Sequence, residues 1–365
     1  MNTQFIIENE REVDSPAILV YPAIVEQNIR LAIQLAGGAG MIRPHVKTHK
    51  MIEVSRMLIN AGILKFKCAT IAEVEMLVMA GATDILLAYQ PTLIKARRLI
   101  ILANANPGIS FGYLIDNELT VQELANYGMP VNTHPWIDIN VGMNRTGVGP
   151  GKVLDLYRLC KSLPGFTPAG LHAYDGHIHE TDTTIRYAAA ASVYKETCAL
   201  RDDILRTFDE QPVVVLGGTP CFPFYAAKPD VETSPGTFVF WDEGYRKMLP
   251  DMKFDVAAVL LTRVISIIDK HTICLDLGHK SVAPEGPLPR VYFPQHPEVK
   301  VLGQSEEHLV VEVADSSAHR PGDAWYGIPA HICPTIALYD RVQVVSNQRA
   351  VSSWKVVARD RMITV

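Results

Sequence analysis

Between about residues 15 and 245 the chain alternates short β-like runs with helical ones, and this alternation constrains the fold more than any other feature. A β-like run at 17–21 opens the region, and a helical run at 22–35 follows it. Residues 41–48 read as a first barrel strand. Runs at 65–70, 84–89, 109–115, 136–141, 168–174, 212–216 and 237–241 read as strands two to eight. Helical patterns fill most intervals, including 52–61, 71–80 closed by Gly81, 152–162 and 184–208. Strand–helix alternation builds parallel sheets, because parallel neighbours need crossover connections. Eight such units match a (β/α)₈ TIM barrel. A doubly wound open sheet shares the alternation, and the count of eight favours the barrel. After residue 250 the pattern changes. Runs at 256–261, 308–313 and 341–345 are rich in β-branched residues, turns such as Pro321-Gly322-Asp323 separate them, and no long helical pattern appears. The expectation is α/β plus all-β: a barrel over 15–250 and a C-terminal β domain over 251–365, which 1–14 is free to join.

The segment Arg43-Pro44-His45-Val46-Lys47-Thr48-His49-Lys50 is strongly basic, yet it lies between apolar runs. On an extended strand Arg43, His45, Lys47 and His49 share one face. Cations gathered in one place suit an anionic ligand, and a lysine among them, out of water, is a candidate Schiff-base nucleophile. The alternative is a nucleic-acid patch or a basic strand edge. The chain's net charge of −5 argues against nucleic acid and for a small anion. The six cysteines are widely spaced with no CxxC, the start from Met1 lacks a leader pattern, and no run is long enough to span a membrane. These features point to a reducing, cytoplasmic setting.

Other segments carry possible chemistry. Gly217-Gly218-Thr219 follows strand seven, and Ser234-Pro235-Gly236-Thr237 lies beside strand eight, where barrels place phosphate sites. Glycines let backbone N–H groups approach an oxyanion. Asn140 to Gly147 sets Arg145 between glycines after strand five. After strand six, His177, His179, Glu180 and Asp182 read as either a metal cluster or a polar loop, and Tyr174 and His177 suit a pocket wall better. His331 and Cys333 are two apart, so on a strand they face one way and can share a metal with open positions. The thiolate favours zinc, and oxygen ligands from substrate also admit manganese.

Taken together, Pro44 to Lys50, Gly142 to Gly147, the two glycine-rich turns and Pro329-Ala330-His331-Ile332-Cys333-Pro334-Thr335 resemble the D-threonine aldolase and D-serine dehydratase group. These are fold-type III, alanine racemase-like enzymes, and the resemblance spans nearly the whole chain. It implies a barrel with a C-terminal β domain, pyridoxal 5'-phosphate and a divalent metal, and a homodimer. By similarity, Lys47 binds the cofactor aldehyde and Arg145 sits beside its phenolic oxygen. Tyr174 and Tyr245 line its pocket, and Gly218, Thr219, Gly236 and Thr237 cradle its phosphate. His331 and Cys333 hold the metal. His177 stands with Lys47 as a candidate catalytic residue, and His45 and His49 are rival bases.

The implied activity is a lyase acting on D-3-hydroxy amino acids, of the D-threonine aldolase type that gives glycine and acetaldehyde. Dehydration of D-serine or D-3-hydroxyaspartate is the alternative. In this group cysteine at the second metal position goes with dehydratases, whereas well-known aldolases carry aspartate. The 174–177 loop and the stretch from Ser234 to Tyr245 resemble the aldolases. A non-catalytic pyridoxal-phosphate carrier lacks a metal-binding β domain. A racemase leaves the His331/Cys333 pair unexplained.

Overall fold

The structure is a computed structural model that describes residues 4–365; Met1, Asn2 and Thr3, where the leader reading and the 1–14 assignment begin, lie outside them. Two compact units interleave along the chain. One comprises 30–47, 52–236 and 360–365, and the other the described residues up to 29, 48–51 and 237–359.

Strand β1 (Ala17–Val20) belongs to the second unit and is described with it below. The first unit is built on seven parallel strands in sequence order: β2 (Lys65–Cys68), β3 (Asp84–Leu87), β4 (Ser110–Ile115), β5 (Thr133–Ile139), β6 (Gly170–Ala173), β7 (Val213–Leu216) and β8 (Glu232–Thr233). Segment 42–45 closes the ring: Ile42 bridges to Thr233 and His45 to Lys67, supported by Arg43 N–H to Thr233 O and Lys67 N–H to Pro44 O. The TIM-like barrel expected from the alternation is present. Helices carry the crossovers, and their ends are written in the sequence. Helix Ile71–Ala80 starts at Thr70, whose hydroxyl accepts from Glu73 N, and stops at Gly81 with φ +96°, which suits glycine.

Two expected strands are turns. Residues 41–48 form only those two bridges and then a 3₁₀ turn at Val46–Thr48, with Lys50 left-handed at φ +55°. The alternation placing Arg43, His45, Lys47 and His49 on one face therefore fails after His45. Residues 237–241 are likewise not a strand. Phe240 N and Trp241 N both donate to Thr237 O, giving a 3₁₀ turn at Thr237–Val239. The eighth strand is the short β8, stopped by Pro235.

Inside the barrel, Trp136 on β5 fills space left by two glycines. A Cβ at Gly170 would lie 2.2 Å from its ring, and one at Gly112 would lie 2.7 Å away. Trp136 packs with Leu86, Leu114 and Val215. Arg43 lies 5.3 Å over its ring and is 1% exposed; it donates to Glu232 at 2.7 Å and to Asp84 at 2.6 Å. Asp84 and Glu232 begin their strands, so Arg43 sits at the N-terminal end of the barrel, where residues serve stability. Replacing Arg43 by Met leaves the buried Glu232 with Lys65 as its remaining cationic partner. The expected loss is roughly 1–3 kcal/mol, read as a lower melting temperature. Adding Glu232→Gln should recover part of it.

The second unit holds a nine-stranded sheet. Its main path runs through β12 (Lys300–Gln304), β13 (Leu309–Glu312), β10 (Thr272–Leu275), β9 (Ala258–Ile267), β1, β15 (Arg341–Ser346) and β16 (Arg349–Lys355). On a branch, β14 (Ala324–Pro329) pairs β9, and β11 (Val291–Tyr292) pairs β14. Here β1, from the run that opens the alternation, lies antiparallel to β9 and parallel to β15. Ile18, Leu19 and Val20 are all buried, as a strand covered on both faces requires. No helix among the described residues is long and apolar enough to cross a membrane.

Candidate active site

The barrel unit contains a cavity of about 620 Å³ whose walls include Lys47, Lys67, Gln90, Arg145, His172 and Tyr174. These residues come from the C-terminal ends of the strands or the loops beyond them, where barrels place their chemistry. Tyr174 follows β6, and three cations face its ring: Arg145 at 5.0 Å, Lys67 at 5.5 Å and Lys47 at 5.7 Å. Lys47 is half-buried on the 3₁₀ turn, and its backbone N–H donates to His45 Nδ1. The structure thus brings Lys47, Arg145 and Tyr174 together.

Gly218 joins them. A Cβ there would come within 3.0 Å of the Tyr174 ring, and its N–H donates to Asp175 Oδ1 at 3.1 Å. Gly236 N–H donates to the Thr219 hydroxyl at 3.2 Å. His177 is not among the cavity walls. Its ring lies against Gly142, where a Cβ would be 2.7 Å from Nε2, and its Nδ1 is buried without a partner among the described residues. Asp182 caps helix Thr183–Phe208 by accepting from Thr184 N and Ile185 N, and His179 and Glu180 are exposed. Among the described residues no three metal-ligating side chains converge, here or elsewhere.

In the second unit His331 and Cys333 hydrogen-bond to each other. They do not share a strand. β14 ends at Pro329, and the pair lies at the start of helix Ile332–Ile336, with Pro334 in its first turn. His331 Nδ1 meets Glu285 at 2.7 Å, and the Cys333 sulfur lies 3.2 Å from the Thr48 hydroxyl and 3.4 Å from that of Thr237. Asp242 fixes the turn by accepting from Ile332 N. Tyr245, one helical turn beyond Asp242, stacks on Trp241. His49 is buried, and burial then the Lys50 charge bring its pKa down to about 3, which keeps the ring neutral.

The cavity residues Lys67 and His172, and Asp138 behind His172, were not singled out from sequence. His172 Nδ1 meets Asp138 Oδ1 at 2.7 Å, and its Nε2 lies 3.5 Å from Lys67 Nζ. Burial alone would raise the Asp138 pKa, but hydrogen bonds from His172, Thr146 and Gln90 hold it down. Burial holds His172 below its usual value. Lys67 is 2% exposed; burial, then the nearby Lys47 charge, bring it from 10.5 to about 7. A lysine near the C-terminal end of a predicted barrel strand was the available signal.

The Lys67 shift has a sign. Between about pH 7 and 10.5 the unfolded chain holds this proton and the folded chain does not. Stability therefore rises with pH there by about 1.4 kcal/mol per unit, and below pH 7 the full cost is present. Lys67→Met should melt at a higher temperature than wild type at neutral pH, by a margin that shrinks toward pH 10.5. Equal melting at neutral pH would contradict the assignment.

The residues present fit the two groups expected from the resemblance. An aldehyde cofactor finds an amine at Lys47, a ring wall at Tyr174, and glycine at 218 where a side chain would crowd that ring. A metal finds imidazole and thiol on one short turn, with a carboxylate orienting the imidazole as metal-bound histidines usually have.

Comparison with known proteins finds relatives that cover nearly the whole chain. The family described as alanine racemase, N-terminal domain, matches residues 22–243, and the putative serine dehydratase domain matches residues 257–345. The 3-hydroxy-D-aspartate aldolase of Paracoccus denitrificans is 26% identical, covering 97% of this chain and 94% of that protein. The D-threo-3-hydroxyaspartate dehydratase of Delftia sp. is 26% identical, covering 94% of this chain and 97% of that one. The crystal structure of D-threonine aldolase from Filomicrobium marinum matches with a TM-score of 0.86 at 26% identity, over 97% of this chain and 98% of that chain.

Proposed function

We propose, because this chain belongs to the D-threonine aldolase and D-serine dehydratase family of alanine racemase-like proteins, that it is a pyridoxal phosphate-dependent lyase of D-3-hydroxy amino acids, acting as an aldolase. The observation that carries the reading is the cavity in which Lys47 and Arg145 both face Tyr174.

When bound, pyridoxal phosphate supplies an electron sink for the bond broken at the substrate's α-carbon. A divalent ion held by His331 and Cys333 would supply Lewis acidity to the substrate hydroxyl. The chain's own residues do the rest. Lys47 offers the amine that holds the aldehyde and, once displaced by the substrate amine, a base for an α-proton. Arg145 and the Tyr174 ring position the cofactor ring, with Tyr245 as a further pocket wall. Gly218, Thr219, Gly236 and Thr237 are proposed as the phosphate cradle, with the two glycines leaving room for the backbone to approach an oxyanion. His177 is proposed as the acceptor of the hydroxyl proton, with His45, which lines the cavity, as the rival base. A homodimer belongs to the same proposal, and light scattering of the purified protein would test it.

In an aldolase the hydroxyl proton leaves, the Cα–Cβ bond breaks and Cα takes up a proton, giving glycine and an aldehyde. In a dehydratase the α-proton and then the hydroxyl leave, ending in a 2-oxo acid and ammonia. Cys333 and the match to the serine dehydratase domain favour the second reading. Product analysis with D-threonine and D-3-hydroxyaspartate separates the two. Glycine as the main amino-acid product supports the aldolase, and a 2-oxo acid overturns it in favour of the dehydratase.

A further inference from the structure

We infer that Lys67 is a further cofactor-holding residue: its amine donates to the phenolic oxygen of the pyridoxal ring, alongside Arg145. The inference rests on the pyridoxal phosphate reading above.

The argument begins with unspent donors. A lysine ammonium carries three N–H groups. Lys67 has one hydrogen-bond partner among the described residues, His172 Nε2, at a long 3.5 Å. His172 donates its Nδ1–H to the Asp138 carboxylate, which leaves Nε2 as a lone-pair acceptor facing Lys67. Asp138 is itself held by Gln90 and Thr146, so the imidazole cannot turn away. Lys67 lines the cavity, and its other donors have only the cavity to serve.

Burying a cation without an anion is costly, so Lys67 holds its proton only up to about pH 7, and an anion placed beside it would restore the charge. The charged and titratable groups around Lys67 do not supply the pair. Lys47 and Arg145 are cations, His172 is neutral, and Tyr174 offers its ring face. The two carboxylates that act on it are engaged elsewhere. Asp138 accepts from His172, Gln90 and Thr146. Asp175 accepts from Gly218 N and the Tyr225 hydroxyl. The missing acceptor is therefore an oxyanion brought in by the ligand. Pyridoxal phosphate has three polar substituents. Lys47 takes the aldehyde and the glycine-rich turns take the phosphate, which leaves the phenolic oxygen. Lys67 and Arg145 both face Tyr174, so both cations are at hand on the ring that would line the cofactor. Two cations on that oxygen keep it ionised.

The test loads apoprotein with pyridoxal phosphate in wild type, Lys67→Met and Lys67→Arg, and records affinity and the visible spectrum against pH. Lys67→Met should still give a borohydride-reducible adduct on Lys47. It should bind the cofactor roughly tenfold or more weakly, and its spectral midpoint should move relative to wild type. Lys67→Arg should restore most of both. A purely structural Lys67 would change the melting temperature and leave the spectral midpoint in place. If Lys67→Met fails to fold, Lys67→Gln should show the same midpoint shift. A Met or Gln spectrum and affinity superimposable on wild type would overturn the inference alone. A wild type that forms no coloured adduct would overturn the pyridoxal phosphate reading, and this inference with it.

Discussion

Lys47→Ala should yield a colourless protein. The wild type, loaded with pyridoxal phosphate, should be yellow and should give a fluorescent adduct on Lys47 after borohydride reduction. The alanine variant should show neither, and its turnover should fall roughly a thousandfold or more. The site predicts this because the two other cations facing Tyr174 cannot substitute for Lys47. Arg145 is not a nucleophile, and Lys67, on strand β2, stands at a different place on the cavity wall from Lys47. Folding should survive, since Lys47 is half-buried and contributes no ion pair among the described residues. A reducible adduct that persists in Lys47→Ala, mapped to Lys67, would move the cofactor linkage one strand along the barrel.

Much of this was legible before the structure, and the parts that were not share a cause. Alternating strand and helix patterns gave the barrel because each strand needs a crossover helix, and the β-branched runs after residue 250 gave the second sheet. Local patterns cannot say which sheet a strand joins. Ile18, Leu19 and Val20 read as the opening of the barrel region, yet they lie between β9 and β15, a pairing set by residues more than two hundred positions away. Arg43 read as part of a ligand site and is an ion-pairing residue at the far end of the barrel. Its partners Asp84 and Glu232 start strands that only closure of the ring brings near. Lys67, His172 and Asp138 each sit on a different strand. No spacing in the sequence marks them as a set. The motifs behind the proposed roles could be read because each is local: Lys47 within a basic octapeptide, and His331 and Cys333 on one turn.

His331→Ala should separate colour from turnover. The variant should keep the Lys47 adduct, since His331 and Lys47 carry different chemistry, and should lose activity roughly a hundredfold or more. Bound metal, measured by elemental analysis, should fall with it. Chelation of the wild type should reproduce the loss, and zinc or manganese should reverse it. Glu285→Gln offers a graded version. It removes the carboxylate that meets His331 Nδ1 at 2.7 Å and should weaken metal binding by roughly 10–100-fold without removing a ligand. Full activity in metal-free His331→Ala would remove the metal from the mechanism.

The most direct measurement is consumption of paired enantiomers by the loaded protein. D- and L-threonine, D- and L-serine and D- and L-3-hydroxyaspartate are incubated separately, and products are identified by mass spectrometry. The account predicts that D-enantiomers alone are consumed, with glycine and the matching aldehyde as products from D-threonine or D-3-hydroxyaspartate. Conversion of an L-enantiomer at a comparable rate, or no product from any D-3-hydroxy amino acid while the Lys47 adduct is present, would contradict it.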